Sequence, residues 1–242
     1  MPNSPADSLP LLAFGAHPDD LEFGCGGLLA LESRAGRPVH LVVTSHGEAG
    51  TNGTPEIRTR EAEAAAAALG ATLEFIELDG DAHLEVKAAH AIKLAGIIRR
   101  HRPQIVLAPT LVENQHPDHW RLGQLVRDAC RLARFGGLAE LRDLAPHAIG
   151  HLFFYAITAD AEPTSPPSAL IDVSDAAVIR AWNDAMNAHA SQQKTRNYTE
   201  LQLTRARLRG LRAGCEHAIP LWSNDPLVFS GLASLDRSAR RF

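Results

Sequence analysis

The chain is expected to fold as an α/β protein: a Rossmann-like, mostly parallel β-sheet flanked by helices, with a small C-terminal α/β appendage. Three observations carry this. Short apolar runs at residues 9–14, 39–44, 73–78 and 105–108 have the length of buried strands, and stretches with helical periodicity separate them. Polar clusters follow the first and the last of these runs, at strand carboxyl ends, where open α/β sheets keep their chemistry. With 242 residues, 45% of them hydrophobic, the chain can bury a sizeable core and is taken as one domain spanning 1–242.

The elements follow in order. Residues 1–8, with Pro2, Asn3, Ser4 and Pro5, form a loose lead-in. The strand at 9–14 runs into the polar turn His17-Pro18-Asp19-Asp20 and the Gly24-Cys25-Gly26-Gly27 run. A helix is expected from Leu28 to about residue 35, stopped by Gly36 and Pro38, before the second strand. This β-α-β unit makes neighbouring parallel strands. Residues 45–55, rich in Gly and Asn, read as an active-site loop beside a strand end. Thr54 or Thr59 opens the next helix, which ends at Gly70. The third strand meets the turn Asp79-Gly80-Asp81-Ala82-His83, whose acids suit sugar hydroxyls. Ala91, Leu94, Ala95 and Ile98 mark a helix ending in Arg99-Arg100-His101, where cations favour a helix C-terminus.

After the run at 105–108 comes His116-Pro117-Asp118-His119, and then Leu122, Leu125, Val126 and Ala129 at helical spacing up to Gly136-Gly137. Residues 151–157 and 170–173 read as further strands, Ser174 or Asp175 as the cap of a helix through Met186, and 200–212 as a last helix. No internal repeat or interdomain linker stands out.

The two polar clusters suggest one metal site. His17 and Asp20, three residues apart in a sharp turn, can address one ion, and a third ligand such as His119 leaves a coordination position open, the mark of a catalytic site. Imidazole and carboxylate suit zinc, although iron(II) and other divalent metals accept the same set. Asp19 is then placed to take a proton from water, and His116, held by Asp118, to face a substrate carbonyl. That machinery points to amide or ester hydrolysis. Set against this, a His-Pro-Asp sequence also occurs as a solvated turn, and a histidine before a helix also serves as its cap. The glycine run lacks a Gly-x-Gly-x-x-Gly pattern and a Walker lysine, so tight helix packing is favoured over phosphate binding. The remaining histidines, His189 among them, lack a matching spacing and are assigned to the surface or the core.

Bulk properties add boundaries. The net charge of −4 does not recommend a nucleic-acid surface, and no run approaches the roughly 20 apolar residues of a membrane helix. Cys25, Cys130 and Cys215 are odd in number and form no CxxC, which fits a reduced, cytoplasmic compartment.

The segments Ala16-His17-Pro18-Asp19-Asp20-Leu21-Glu22 and His116-Pro117-Asp118-His119, with the 47–53 loop, Arg58-Thr59-Arg60-Glu61, Asp172-Val173-Ser174 and His189-Ala190-Ser191-Gln192, resemble the PIG-L/LmbE family of zinc-dependent N-acetylglucosaminyl deacetylases. The resemblance extends over most of the chain and is nearest the bacillithiol-pathway branch, which deacetylates N-acetylglucosaminyl-malate. It implies zinc on His17, Asp20 and His119, Asp19 as base, His116 with Asp118 at the transition state, and substrate contacts from Arg58 and Asp81. Asn114 stands where some members carry an oxyanion-binding tyrosine, and Asn cannot act as a phenol. His217-Ala218-Ile219 departs from a branch pattern that ends in glutamate. The implied partners are an N-acetylglucosaminide and, as trimer or hexamer, further copies of the chain. Two alternatives stay open: an amidase acting on a sugar-amine thiol conjugate, and a non-catalytic nucleotide- or sugar-binding α/β domain.

Overall fold

A computed structural model describes residues 9–113, 116–232, 235 and 237–239. At the centre of the sheet is β1 (Leu11–Gly15), buried along its whole length and paired in parallel with β2 (Val39–Val43) and β4 (Ile105–Pro109). β3 (Thr72–Phe75) extends the sheet beyond β2, and β5 (His151–Tyr155) extends it beyond β4, both parallel. Two more strands continue past β5 in antiparallel pairing. β7 (Ala218–Ser223) lies against β5, and β6 (Ala169–Asp172) forms the edge, giving the order β3-β2-β1-β4-β5-β7-β6. The C-terminal portion therefore completes the same sheet. The order reverses between β1 and β4, so the crevice that accepts ligands in open α/β sheets opens at their carboxyl ends.

Alternation along β1 feeds two cores. Leu11 and Ala13 face the layer of α1 (Asp20–Arg34), α2 (Pro55–Leu69), α5 (Ala176–Ala188) and α6 (Tyr198–Ala213). Leu12 and Phe14 face α3 (Ala88–His101) and α4 (Pro117–Leu132). Helix limits follow local chemistry. Thr54 accepts the amide of Ile57 at the start of α2, Gly70 closes that helix in the left-handed conformation, and Asp175 caps α5 through Ala177 and Val178. Arg99, buried near the end of α3, donates to the carbonyls of Ala133, Phe135, Leu141 and Leu144, satisfying backbone that leaves α4.

One helix begins earlier than its apolar periodicity suggests. α1 starts at Asp20 and runs through the glycine run, with a break from helical geometry at Cys25 (φ −147°, ψ 15°). Packing explains the glycines. A Cβ on Gly24 would stand 2.4 Å from the Tyr155 ring, and one on Gly26 2.6 Å from Trp182. Both large side chains are also tied by hydrogen bonds, Tyr155 Oη to Phe14 O at 2.8 Å and Trp182 Nε1 to Glu22 O at 2.7 Å. No helix among the described residues is long and apolar enough to cross a membrane.

Candidate metal centre

The chain leaves β1 through His17-Pro18-Asp19, and the amide of Asp20 returns to the carbonyl of His17 at 3.3 Å. It leaves β4 toward α4 through His116-Pro117-Asp118, where the amide of His119 returns to His116 O, also at 3.3 Å. These turns stand at neighbouring strand ends and bring three imidazoles together. Ring centroids lie 4.2 Å apart for His17 and His116, and 5.3 Å apart for His17 with His119 and for His116 with His119.

Asp20 sits between two of these rings. Its Oδ2 accepts the amides of Ala16 and His17, each at 2.9 Å, and lies 3.5 Å from His17 Nδ1. Its Oδ1 lies 3.1 Å from His119 Nε2. Ligands about 2.0–2.2 Å from a tetrahedral zinc stand about 3.3–3.6 Å from one another, and the two Asp20 contacts, 3.5 Å to His17 Nδ1 and 3.1 Å to His119 Nε2, lie near that spacing. Burial drives the Asp20 carboxyl upward, but the His119 and His17 rings outweigh it and hold the group well below the ordinary range.

The far side of His17 meets two further carboxylates. Nε2 lies 3.1 Å from Asp81 Oδ1 and 3.5 Å from Asp118 Oδ2. Asp81 Oδ1 is also 3.5 Å from His116 Nε2. His17, Asp81, His116 and Asp118 thus make a second compact group of donor atoms beside the group His17, His116 and His119. Neither His17 Nε2 nor Asp81 Oδ1 forms an aligned hydrogen bond. One imidazole serves one ion in its ordinary neutral form. Were Nδ1 to hold an ion, Nε2–H would be left to face these carboxylates, as second partners commonly fix a ligating ring.

Asp81 is held firmly. Its amide donates to Glu48 Oε1 at 2.8 Å and its Oδ2 accepts Ala49 N at 3.1 Å, which leaves Oδ1 facing the His17 and His116 rings. Ala82, in the left-handed region at φ 67°, gives its amide to Asp118 Oδ2 at 2.8 Å. Asp118 is linked to His116 through its own amide, which donates to His116 Nδ1 at 3.4 Å. The described carboxylate contact of the His116 ring is to Asp81.

Asp19 occupies the α1 N-cap at φ 105°, ψ −24°, a conformation that non-glycine residues seldom adopt and that is stored where function demands it. Arg58 Nη2 donates to Pro18 O at 2.8 Å and approaches Asp19 Oδ2 at 3.5 Å, while Nη1 donates to Gly47 O at 3.0 Å. Arg58 is buried and grips both the turn and the 45–55 loop. A Cβ on Gly47, itself at φ 68°, would stand 2.0 Å from this guanidinium. Burial and the neighbouring Asp20 charge push the Asp19 carboxyl up to about 6, against the pull of Arg58, His189 and His17.

The structure therefore brings together His17, Asp19, Asp20, Arg58, Asp81, His116, Asp118 and His119. Asn114 lies outside the described residues. Glu48, which fastens the Asp81 turn, carries no motif that would have marked it. His189, assigned in the sequence to surface or core, is fully buried and ion-paired with Glu22.

Comparison with known proteins fits this geometry. The family model described as GlcNAc-PI de-N-acetylase, PIG-L, matches residues 12–130. The chain is 35% identical over 127 residues to the uncharacterized deacetylase YaiS of Escherichia coli, a match covering 50% of this chain and 68% of that protein. It is 31% identical over 147 residues to 4-oxalmesaconate hydratase of Pseudomonas putida, and the match spans only 56% of each chain. Among solved structures, the conserved protein TT1542 of Thermus thermophilus superposes with a TM-score of 0.83 at 32% identity, covering 95% of this chain and 100% of the other.

Proposed function

The chain belongs to the PIG-L family, and from that premise we propose that it is a metal-dependent hydrolase that removes the N-acetyl group from an N-acetylglucosamine derivative, giving the free amine and acetate. The observation that carries this reading is the convergence of His17, Asp20 and His119 with Asp19 beside them and His116 at the mouth. His17, Asp20 and His119 would hold zinc, or iron(II) in its place. When bound, the ion supplies the Lewis acidity that amide hydrolysis needs near neutral pH.

The chain's own groups supply the rest. Asp19 takes the proton of the attacking water and passes it toward the amine. Its half-buried position and left-handed backbone keep the carboxylate beside the ligand set, with Arg58 at its back. His116, its side chain 34% exposed against 7% for His17, is the ring open to substrate and donates to the acyl oxygen as charge develops there. Asp118 and Asp81 orient His17, and Asp81 also faces His116. With Oδ2 taken by Ala49 N and Oδ1 facing two rings, Asp81 is better suited to orienting imidazoles than to binding a sugar hydroxyl. Arg58 acts on substrate through the loop that it grips.

A bacillithiol-type substrate such as N-acetylglucosaminyl-malate is the first compound to test. The compartment we assign is the cytoplasm, in keeping with three free cysteines, and the working partners are small molecules rather than nucleic acid. Leu208 and Leu211 of α6 and Val228 and Leu232 beyond β7 are exposed, and their burial between copies would support a trimer or hexamer, to be checked by sedimentation.

A second reading has one observation in its favour, the match to a hydratase: the same ion, base and imidazole can add water to an unsaturated carboxylic acid. One experiment separates the two. The protein, loaded with zinc or iron(II), is given a panel of N-acetylglucosaminides and an enol tricarboxylate. Acetate release from the sugars is expected; turnover of the acid alone would overturn the deacetylase reading.

A further inference from the structure

The N-cap and first turn of α1 carry three acids in four residues, Asp19, Asp20 and Glu22, and each has a different partner. Asp20 takes two backbone amides and two imidazoles, and Asp19 has Arg58. Glu22, 4% exposed and with no part in the reaction proposed above, faces His189, which is 0% exposed; Glu22 Oε2 and His189 Nε2 are 3.3 Å apart. Neither nitrogen of the His189 ring makes an aligned hydrogen bond, and the ring packs against Phe23 at 6.1 Å between centroids. An isolated carboxylate at this depth is costly, and the imidazole that faces Glu22 at 3.3 Å is the group placed to offset that cost.

Helix ends favour the same charges. Glu22 lies in the first turn of α1, where an anion is stabilised, and His189 is the C-cap of α5, where a cation is. The residues just after His189 reach the other parts of the site. The amide and hydroxyl of Ser191 donate to Glu61 of α2 at 2.7 and 2.6 Å, and Gln192 Nε2 donates to Asn52 O of the 45–55 loop at 2.7 Å. The short turn 189–192 thereby joins α1, which carries Asp19, to α2, which carries Arg58, and to the loop held by Arg58. A Cβ on Gly53 would stand 2.8 Å from Ser191 Oγ, so loop and turn are in direct contact.

We propose that His189 is a positioning residue for Asp19: its buried pair with Glu22 clamps the first turn of α1 to the end of α5 and keeps the Asp19 carboxylate in register with the ligand set. The clamp acts on a strained segment. Asp19 at φ 105° persists only if its surroundings over-determine it: Arg58 meets it on one side, Phe23 N donates to its carbonyl at 2.9 Å, and the Glu22–His189 pair holds the helical turn that follows. The inference rests on the deacetylase reading for its kinetic consequence, but not for the clamp itself.

The test compares the unaltered metal-loaded protein with H189Q, E22Q and the double variant. Each single variant leaves one buried polar partner stranded and is expected to lower kcat about tenfold to a hundredfold, with KM within about twofold, because small misplacements of a reacting group are costly. Metal content should stay the same. The double variant strands no charge and should regain at least about fivefold over the slower single variant, since removing both partners is far less harmful than removing one. A full kcat in both single variants overturns the proposal. So does a loss confined to KM or to metal content, or a double variant as slow as the product of the two. Should H189Q fail to fold, E22Q and the double variant carry the same comparison. If the unaltered protein releases no acetate from any N-acetylglucosaminide, it is the deacetylase reading that fails, and hydrogen exchange then decides the clamp. The Phe23 amide, bonded to Asp19 O at 2.9 Å, should exchange about tenfold faster in the single variants and slow again in the double. Unchanged exchange overturns the clamp.

Discussion

The turn after β1 and the turn after β4 are built alike and used differently. Both run His-Pro-Asp, both close with an amide-to-carbonyl contact of 3.3 Å, and both deliver a helix N-terminus to the same crevice. The contrast lies in one residue. Asp19 takes the left-handed conformation outside its helix, whereas Asp118, its counterpart, already lies within α4. Asp19 is thereby turned toward Arg58, and Asp118 toward Ala82 N and His17. The leading histidines differ in turn: His17 is enclosed by carboxylates, and His116 keeps a third of its side chain exposed. A repeated turn can thus hold an enclosed imidazole in one copy and an exposed one in the other, with one backbone conformation changed.

Removing the proposed ligand that links the two turns should have the largest effect. His119→Ala takes away the partner of Asp20 Oδ1, and we expect bound metal to fall well below one per chain and turnover to drop below about one part in ten thousand. Metal analysis and acetate release check both. If the variant kept its metal, the ion would have to sit on the His17, Asp81, His116 and Asp118 group instead.

The next tests separate the roles of the turns. Asp19→Asn should keep its metal and lose about 10²–10⁴-fold in kcat, the range for removal of a general base. His116→Gln should cost about 10²–10³-fold, as loss of an oxyanion donor does, again with metal retained. Equal losses of metal in all three variants would erase the distinction between the proposed ligand His119 and the proposed reacting groups Asp19 and His116. Asp81→Asn should weaken metal affinity about 10–100-fold, measured by competition with a chelator, and leave KM nearly unchanged. A rise in KM alone would return Asp81 to the sugar.

Much of this contrast is legible in the sequence. Both motifs follow apolar runs that are strands, and spacing alone suggests His17, Asp20 and one more histidine as a ligand set. The caps Thr54, Gly70 and Asp175 also stand where turn chemistry places them. Less legible is whatever depends on contacts distant in sequence. β7 reads in the sequence as a departure at His217-Ala218-Ile219, yet it pairs with β5 and β6 because the sheet, not local periodicity, decides that pairing. The start of α1 at Asp20 is hidden by glycines whose reason is Tyr155 and Trp182, more than a hundred residues away. His189 has no motif partner near it in the chain, since Glu22 approaches from the opposite end of the domain. The setting of Asp81 depends on Glu48, which takes its amide, and on Ala49, which holds its Oδ2, and a pattern of acids cannot reveal either.

The smallest expected effect concerns pH and again sets Asp19 apart. Burial and the adjacent Asp20 charge raise its carboxyl to about 6, whereas the rings around Asp20 and Asp81 hold those two groups below the ordinary carboxylate range. A base works only when ionised, so kcat/KM should rise with pH through the Asp19 pKa and fall about tenfold per unit below it. A bound cation draws the group down, which places the acid limb of the loaded enzyme at or below about pH 6. Stability has the opposite sign for this one group. Between the ordinary carboxylate pKa and about 6 the folded chain keeps a proton that the unfolded chain releases, so the metal-free protein should lose part of its stability as pH rises through that window. Asp19→Asn removes the titrating group and should flatten that dependence. Thermal unfolding of the metal-free protein and of the variant across about pH 4–7 would reveal it, and identical profiles would mean that Asp19 is not the group raised in the fold.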